Sequence, residues 1–220
     1  MGCSARVMTR HLPEQARREQ ILSAARRCFI ENGYHPTRMD DIARAAGLSK
    51  GGVYFHFKSK QEVFESLVKE EFDESMRFLD QVTSGDRPVA EKMQAIAGHY
   101  LEYFSKAPDA PRFFIVMGEM ALRDEALAKQ LLEMQTAFVG QISKLLDQGV
   151  AEGMLRPVDT QAVAALLKAL LDGIEGLNAL GFSLEAPALV GAGLDFVMNG
   201  LAKPQPAAPE APAPTEPSPS

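Results

Sequence analysis

Gly47, Leu48 and Ser49 are all that separate two short helix-patterned segments, and a link of three residues forces the segments to cross one another. Upstream, Met39, Ile42, Ala43 and Ala46 fall on one stripe at helical spacing, with Asp40 and Asp41 in the first turn, where the helix dipole favours acids. Downstream, Ser49 is positioned to cap the first free N–H groups of a helix that runs to Phe57. A glycine at the bend and apolar contact between Ala43 and Val53 complete the expectation of a helix-turn-helix. The second helix is a poor one by propensity. Gly51 and Gly52 in its first turn each cost roughly 1 kcal/mol relative to alanine. Such positions are kept where a backbone must come close to something, and helix N–H groups approached by a phosphate are one such case.

Around this pair the pattern is helical throughout. Pro13 and Glu14 open a first helix with Ile21, Leu22, Ala25, Cys28 and Phe29 on one stripe and Arg17, Arg18, Arg26 and Arg27 opposite; Asn32-Gly33 stops it. Arg17 and Arg18 suit either a phosphate backbone or an exposed basic face. Lys58-Ser59-Lys60 leads into a longer helix carrying Val63, Phe64, Leu67, Val68 and Phe72, acidic towards its far end. The turn-rich run Thr83 to Pro88 marks a boundary, beyond which five more helices are expected near 89–106, 109–122, 124–153, 159–181 and 186–201. No stretch alternates as a strand would. The expected organisation is a leader at 1–12, a helix-turn-helix domain at 13–60, a connecting helix at 61–82, a helical bundle at 83–202 and a disordered tail at 203–220 rich in Pro and Ala. This is an all-α fold of about nine helices.

Charge is distributed unevenly. Residues 1–60 hold 11 Lys and Arg against 5 Asp and Glu, whereas the remaining 160 residues hold 12 against 24. A basic module on an acidic body suits a polyanion at one end only, since phosphate neutralisation supplies most sequence-independent affinity for DNA. The two cysteines do not form a disulfide framework. Cys28 reads as a buried thiol and Cys3 as a thiol in the leader, which fits a reducing cytoplasm. No run of 18 apolar residues appears, and neither a signal-peptide core nor a myristoylation signal is expected at the start. Paired nucleophile and base, metal-ligand spacing and a phosphate-binding glycine loop after a strand are all missing from the pattern, which argues against an enzyme and against any cofactor.

Gly33-Tyr34, Asp41-Ile42-Ala43, Ala46-Gly47-Leu48-Ser49, Val53-Tyr54-Phe55-His56-Phe57 and Ser59-Lys60 stand together in order and spacing. In this the chain resembles the DNA-binding domain of the TetR family of transcriptional regulators over about residues 15–70. The resemblance implies a homodimer that binds a palindromic operator on double-stranded DNA, with a larger helical domain holding an effector pocket and the dimer interface. It implies DNA contacts at Arg38, Ser49, Lys50, Gly51, Gly52, Tyr54, Phe55, His56 and Lys60. Lys50 is then placed to reach guanine O6 and N7, and Phe55 a thymine methyl. Tyr54, His56 and Lys60 would hold phosphates, with packing in the three-helix core the lesser alternative for Tyr54 and His56. Val53 and Phe57 are expected in that core.

In the second half, His99, Tyr103, Phe104, Phe113, Phe114, Met117, Met120, Met134 and Phe138 gather aromatic and thioether side chains. Such residues suit either a pocket for a flexible hydrophobic molecule or an ordinary bundle core, with His99 a possible polar handle. Leu166, Leu170, Gly173, Leu177, Leu189, Gly193, Phe196 and Val197 make the last two helices apolar on more than one face, as a two-fold four-helix interface requires. Together these features suggest a repressor released by a small hydrophobic molecule. A DNA-binding activator or a regulator without a ligand is the nearest alternative, and a helical carrier or enzyme a more distant one.

Overall fold

The computed structural model describes residues 13–106, 109–182 and 186–201. The leader with Cys3, the tail from 203, and the side chains of Phe104 and Val197 lie outside the described residues. Among the described residues there are nine helices and no strand: α1 Glu14–Asn32, α2 Met39–Ala45, α3 Lys50–His56, α4 Lys60–Thr83, α5 Val89–Lys106, α6 Ala110–Ala121, α7 Glu125–Ala151, α8 Thr160–Ala179 and α9 Ala186–Leu201. The all-α expectation holds, with most ends within two residues of those read from the pattern. None of the described helices is long and apolar enough to cross a membrane.

The first three helices pack as periodicity dictates. Ile21, Leu22, Ala25, Cys28 and Phe29 of α1 meet Met39, Ile42 and Ala43 of α2, Val53 of α3 and Phe57 in one core. Burial pushes the Cys28 thiol up, as suits a packing residue more than a reactive one. Gly47, at φ +67, makes the turn between α2 and α3 in a backbone region other residues rarely enter, and Leu48 N–H donates back to the Ala43 carbonyl at 2.9 Å. Two α1 side chains then hold the pair in place. Arg18 donates to the His56 carbonyl at 2.9 Å with its guanidinium over the Phe57 ring, and Gln20 donates to the Ala46 carbonyl at 2.7 Å. Arg18 is therefore neither a loose basic side chain nor simply a solvated one: it caps the C-terminus of α3.

α4 has 24 residues and is roughly 36 Å long, and its two ends belong to different cores. Val63, Phe64, Leu67 and Val68 join α1–α3, whereas Leu79 packs with Phe138, Ile142 and Leu146 of α7, Leu155, and Ala164 of α8. The turn at 83–88 does not divide these cores. Phe113, Val116 and Met120 of α6 and Leu127 of α7 enter the first core beside Phe64. Phe64 lies 5.5 Å from Phe29, 5.0 Å from Tyr34 and 5.7 Å from Phe113 between ring centroids, so it joins α1, α4 and α6 in one aromatic cluster.

The lower bundle is closed by a chain reversal after α7. Met154 and Leu155 N–H groups both bond to the Gly149 carbonyl at 3.0 Å, laying Leu155 over Gly149 so closely that a Cβ there would sit 2.9 Å from Leu155 Cδ1 and 3.3 Å from Val89 Cγ1. Lys92, buried on α5, bonds to Gln148 Oε1 of α7 at 3.2 Å.

Replacing Phe64 by alanine removes contacts with α1, α6 and the Tyr34 turn at once. We expect a loss of about 3–5 kcal/mol, read by urea unfolding. Because the cavity would lie between the helix-turn-helix and the body, near-ultraviolet circular dichroism should lose tyrosine fine structure at Tyr34.

Candidate nucleic-acid surface and interior cavity

The exposed side of α3 is the most unusual surface on the first three helices. Val53 and Phe57 are fully buried, which turns Tyr54 and Phe55 outward at 42 % and 81 % exposure. Ser49 caps the helix by accepting from Gly52 N–H at 3.1 Å. The two glycines have different reasons. A Cβ on Gly52 would press on Ser49 Oγ at 3.3 Å, whereas a Cβ on Gly51 would meet nothing within 4 Å, so no contact inside the chain requires a glycine there. Lys50 is exposed and pairs with Asp40 at 2.9 Å; that bond and charge raise its pKa. Arg38, also exposed, precedes α2, and its N–H donates to Asp41 Oδ2 at 3.0 Å. His56 is half-buried, with its ring against Phe55.

Arg38, Ser49, Lys50, Gly51, Tyr54 and Phe55 are thus all exposed around α2 and α3. Lys60 stands apart. Its ammonium donates to the carbonyls of Tyr34 at 2.6 Å and His35 at 3.0 Å and lies over the Tyr34 ring, and burial lowers its pKa. It ties the 34–35 turn to the start of α4, which the family-like spacing alone does not reveal.

Between α1, α4, α5, α6, α7 and α8 lies a cavity of about 740 Å³. Of the pocket residues expected from sequence, His99, Tyr103, Phe114, Met117, Met134 and Phe138 line it. Phe113 and Met120 do not: both turn into the core around Phe64, because α6 presents one face to α1 and α4 and a neighbouring face to the cavity. Nor is the lining purely apolar. α1 contributes Arg26 and Arg27, α4 Glu71 and Glu74, and α8 Lys168 and Glu175. Arg26 is ion-paired with Glu71 and lies 4.8 Å over the Phe113 ring; Lys168 is ion-paired with Asp172 and lies 5.3 Å over Phe138.

Glu175 accepts a hydrogen bond from the Tyr103 hydroxyl at 2.9 Å. Burial raises its carboxyl from 4.5 to about 7, with the Tyr103 hydrogen bond and the Lys168 charge pulling the other way. The Tyr100 and Tyr103 phenols are raised too, chiefly by burial and then, for Tyr103, by the charge of Glu175. His99 stacks on Phe78 at 3.6 Å between centroids, and burial lowers its pKa. His99 is therefore one of several polar groups in the lining, with Arg26, Arg27, Glu71, Glu74, Lys168 and Glu175. A signal was present: Lys168, Asp172 and Glu175 are the charged residues of α8 and fall on one helical stripe, distinct from that of Leu166, Leu170, Gly173 and Leu177.

That second stripe faces outward. Leu166, Leu170 and Leu177 are 40–56 % exposed, Gly173 is exposed, and Leu180, Phe182 and Phe196 extend the apolar surface. Gly193 of α9 is exposed and Leu189 half-buried.

Residues 21–67 match a family profile described as bacterial regulatory proteins, tetR family, and residues 88–197 match one described as BetI-type transcriptional repressor, C-terminal. The chain is 29 % identical over 188 residues to YfiR, an HTH-type transcriptional regulator of Bacillus subtilis, covering 77 % of this chain and 82 % of that one. It is 30 % identical over 146 residues to the HTH-type transcriptional regulator RutR of Escherichia coli, covering 66 % and 68 %. Among solved structures, SmeT in complex with triclosan superposes with a TM-score of 0.70 at 25 % identity, over 91 % of this chain and all of that one.

The Glu175 carboxyl makes a prediction about stability. Between 4.5 and about 7 the folded chain keeps a proton on Glu175 that the unfolded chain releases, so this group lowers stability as pH rises through that window. Glu175→Gln removes the penalty. Its melting temperature should match wild type below pH 4.5, exceed it increasingly up to about pH 7 and keep a constant lead above that, equivalent to a stability gain on the order of 3 kcal/mol. His99 acts with the opposite sign in both proteins and cancels from the difference.

Proposed function

The chain belongs to the TetR family of bacterial regulatory proteins, and within it we propose a repressor that binds a palindromic operator as a homodimer and is released by a small molecule held in the cavity. The observation that carries the DNA-binding surface is Phe55, 81 % exposed on a helix whose Val53 and Phe57 are fixed in the core. With Tyr54 exposed beside it, Lys50 on the same helix and a bare backbone at Gly51, it forms an apolar patch on a helix that a duplex can cover. In this reading Lys50 and Phe55 read base edges, and Arg38, Ser49, Tyr54 and His56 position the helix on phosphates. Gly51 leaves the backbone bare where the duplex approaches. Lys60 contributes by fixing the 34–35 turn more than by contact. The chain divides by role into the reading head at 13–60, the connecting helix at 61–82 and the effector-binding, dimerising body at 83–202, acting in the cytoplasm where the operator is.

Pairing of two subunits through the Leu166, Leu170 and Leu177 stripe, with Phe196 alongside, covers an apolar face that one chain leaves in water. Two recognition helices must then stand about 34 Å apart to enter successive major grooves. The route from effector to DNA is short. Arg26 and Arg27 place α1 in the cavity wall, and the same helix holds α3 through Arg18 and α2 through Gln20. An effector that shifts α1 against α4, as by competing for the Arg26–Glu71 pair, displaces α3 with it, and its preference for the displaced state sets how far operator affinity falls. The complex of SmeT with triclosan supports a ligand in this body, since that protein shares the fold.

Purified protein should retard DNA from the region upstream of its own gene. Lys50→Ala or Tyr54→Ala should weaken that binding at least about ten-fold with the melting temperature unchanged. Asp40→Asn should act in the opposite direction, because it frees Lys50 and removes a carboxylate from the phosphate-facing side. Retardation indifferent to all three substitutions would refute the assignment of α3. Leu170→Asp should convert a dimer to a monomer in sedimentation velocity at micromolar concentration, and a chain that sediments as a dimer regardless would place the interface elsewhere.

A further inference from the structure

Resting on the reading of α3 as the recognition helix, we propose that Arg18 is a latch with two positions and that Glu70 of α4 is its second acceptor. In the DNA-competent state the guanidinium holds α3 by the His56 carbonyl; when α4 shifts, it passes to the Glu70 carboxylate and lets α3 go. Arg18 and Arg26 stand eight residues apart on α1, about 12 Å along the helix. Two successive acids of α4 lie against them. Arg26 is ion-paired with Glu71, which lines the cavity. Arg18 lies within electrostatic reach of Glu70 yet makes its bond elsewhere, to the His56 carbonyl at 2.9 Å, with its guanidinium 4.2 Å from the centroid of the Phe57 ring. Among the described residues Glu70 has no ion pair, whereas its neighbour Glu71 has one.

The two acceptors are closely matched. A carboxylate is the stronger partner for a guanidinium, because a bond between opposite charges is roughly twice as strong as one to a neutral group. Solvent at this seam screens much of that advantage away. The His56 carbonyl gains from position, since Phe57 is fixed in the core and presents both the end of α3 and a ring face to Arg18. Glu70 is an exposed residue whose carboxyl is partly desolvated, and that burial, with the charge of Glu19, raises its pKa while Arg18 pulls the other way from beyond contact. This is the condition of an acid with a cation near but not bound. α3 depends on the grip, because a helix of seven residues with two glycines has little stability of its own. Glu70 and Glu71 are adjacent on one helix, so a molecule in the cavity that displaces Glu71 carries Glu70 with it.

A double-mutant cycle in the full-length protein, read by retardation of the upstream DNA, tests the latch. Glu70→Gln removes the rival acceptor and should tighten binding about three-fold or more. Arg18→Gln removes the grip and should weaken binding about ten-fold or more. The double variant should bind as Arg18→Gln does, within about two-fold, because Glu70 acts only through Arg18. Tightening by Glu70→Gln that persists in the Arg18→Gln background would be the general gain from removing a negative charge near DNA and would overturn the proposal, as would a Glu70→Gln protein that binds no more tightly than wild type. Should Arg18→Gln not fold, Arg18→Lys, which keeps the charge without the planar fork, takes its place in the cycle. Hydrogen exchange over residues 49–57 in the DNA-free protein gives a second readout: slower than wild type in Glu70→Gln, faster in Arg18→Gln, and no slower in the double variant than in Arg18→Gln. If no protein retards DNA while exchange keeps this order, the latch stands and the reading of α3 as the DNA-contacting helix falls. If retardation by wild type is intact and Glu70→Gln changes neither readout, the latch falls and that reading stands.

Discussion

The contact on which the rest depends is the aromatic cluster at Phe64. By touching Phe29 and Tyr34 on one side and Phe113 on the other, it makes the helix-turn-helix continuous with the body. A three-helix head of some 45 residues buries too little apolar surface to be rigid by itself. Here it borrows α4 and α6. Arg26 lies across the same cluster, over the Phe113 ring and paired with Glu71, so the apolar seam and the ionic bridge between α1 and α4 occupy one place. Whatever enters the neighbouring cavity acts beside the seam that aims α3.

α8 departs from the usual amphipathic rule, which puts leucines inside and charges in water. Its Lys168, Asp172 and Glu175 stripe turns inward and its Leu166, Leu170 and Leu177 stripe turns outward. Each inversion costs stability in an isolated chain, the first by desolvating charge and the second by leaving apolar area wet. Conflicts between local rules and observed burial concentrate at functional surfaces. One helix therefore carries two of them back to back, one lining the cavity and one facing outward.

The helices were legible because periodicity and punctuation are local. Pro13, Gly33, Gly47, Ser49, Ser59, Asp124 and Asp159 end or start elements within a residue or two of where the pattern put them, and Ser49, Ser59, Asp124 and Asp159 all accept from first-turn N–H groups. The outward aromatic pair Tyr54 and Phe55 was legible for the same reason, once Val53 and Phe57 were assigned inward. What the chain order concealed is long-range. That Arg18 serves the C-terminus of α3 depends on a partner 38 residues away, and Lys60 reaches back 26. The cavity is the space left among six helices, so its lining turns on rotations that no single period specifies. Phe113 and Met120 fell outside it by such a rotation, and Glu175 entered because α8 presents two faces whose roles composition cannot tell apart.

α1 is used on three sides at once: its apolar stripe builds the head, Arg18 and Gln20 grip α2 and α3, and Arg26 and Arg27 border the cavity. A substitution there that adapted the cavity to a different chemical would also perturb the aim of the recognition helix. On the proposed reading, drift in effector preference is steered towards α7 and α8, whose Phe138, Lys168 and Glu175 line the cavity and take no part in the contacts of Arg18 and Gln20 with α3 and α2. Over evolutionary time this asymmetry would let a lineage exchange what it senses faster than where it sits on the chromosome.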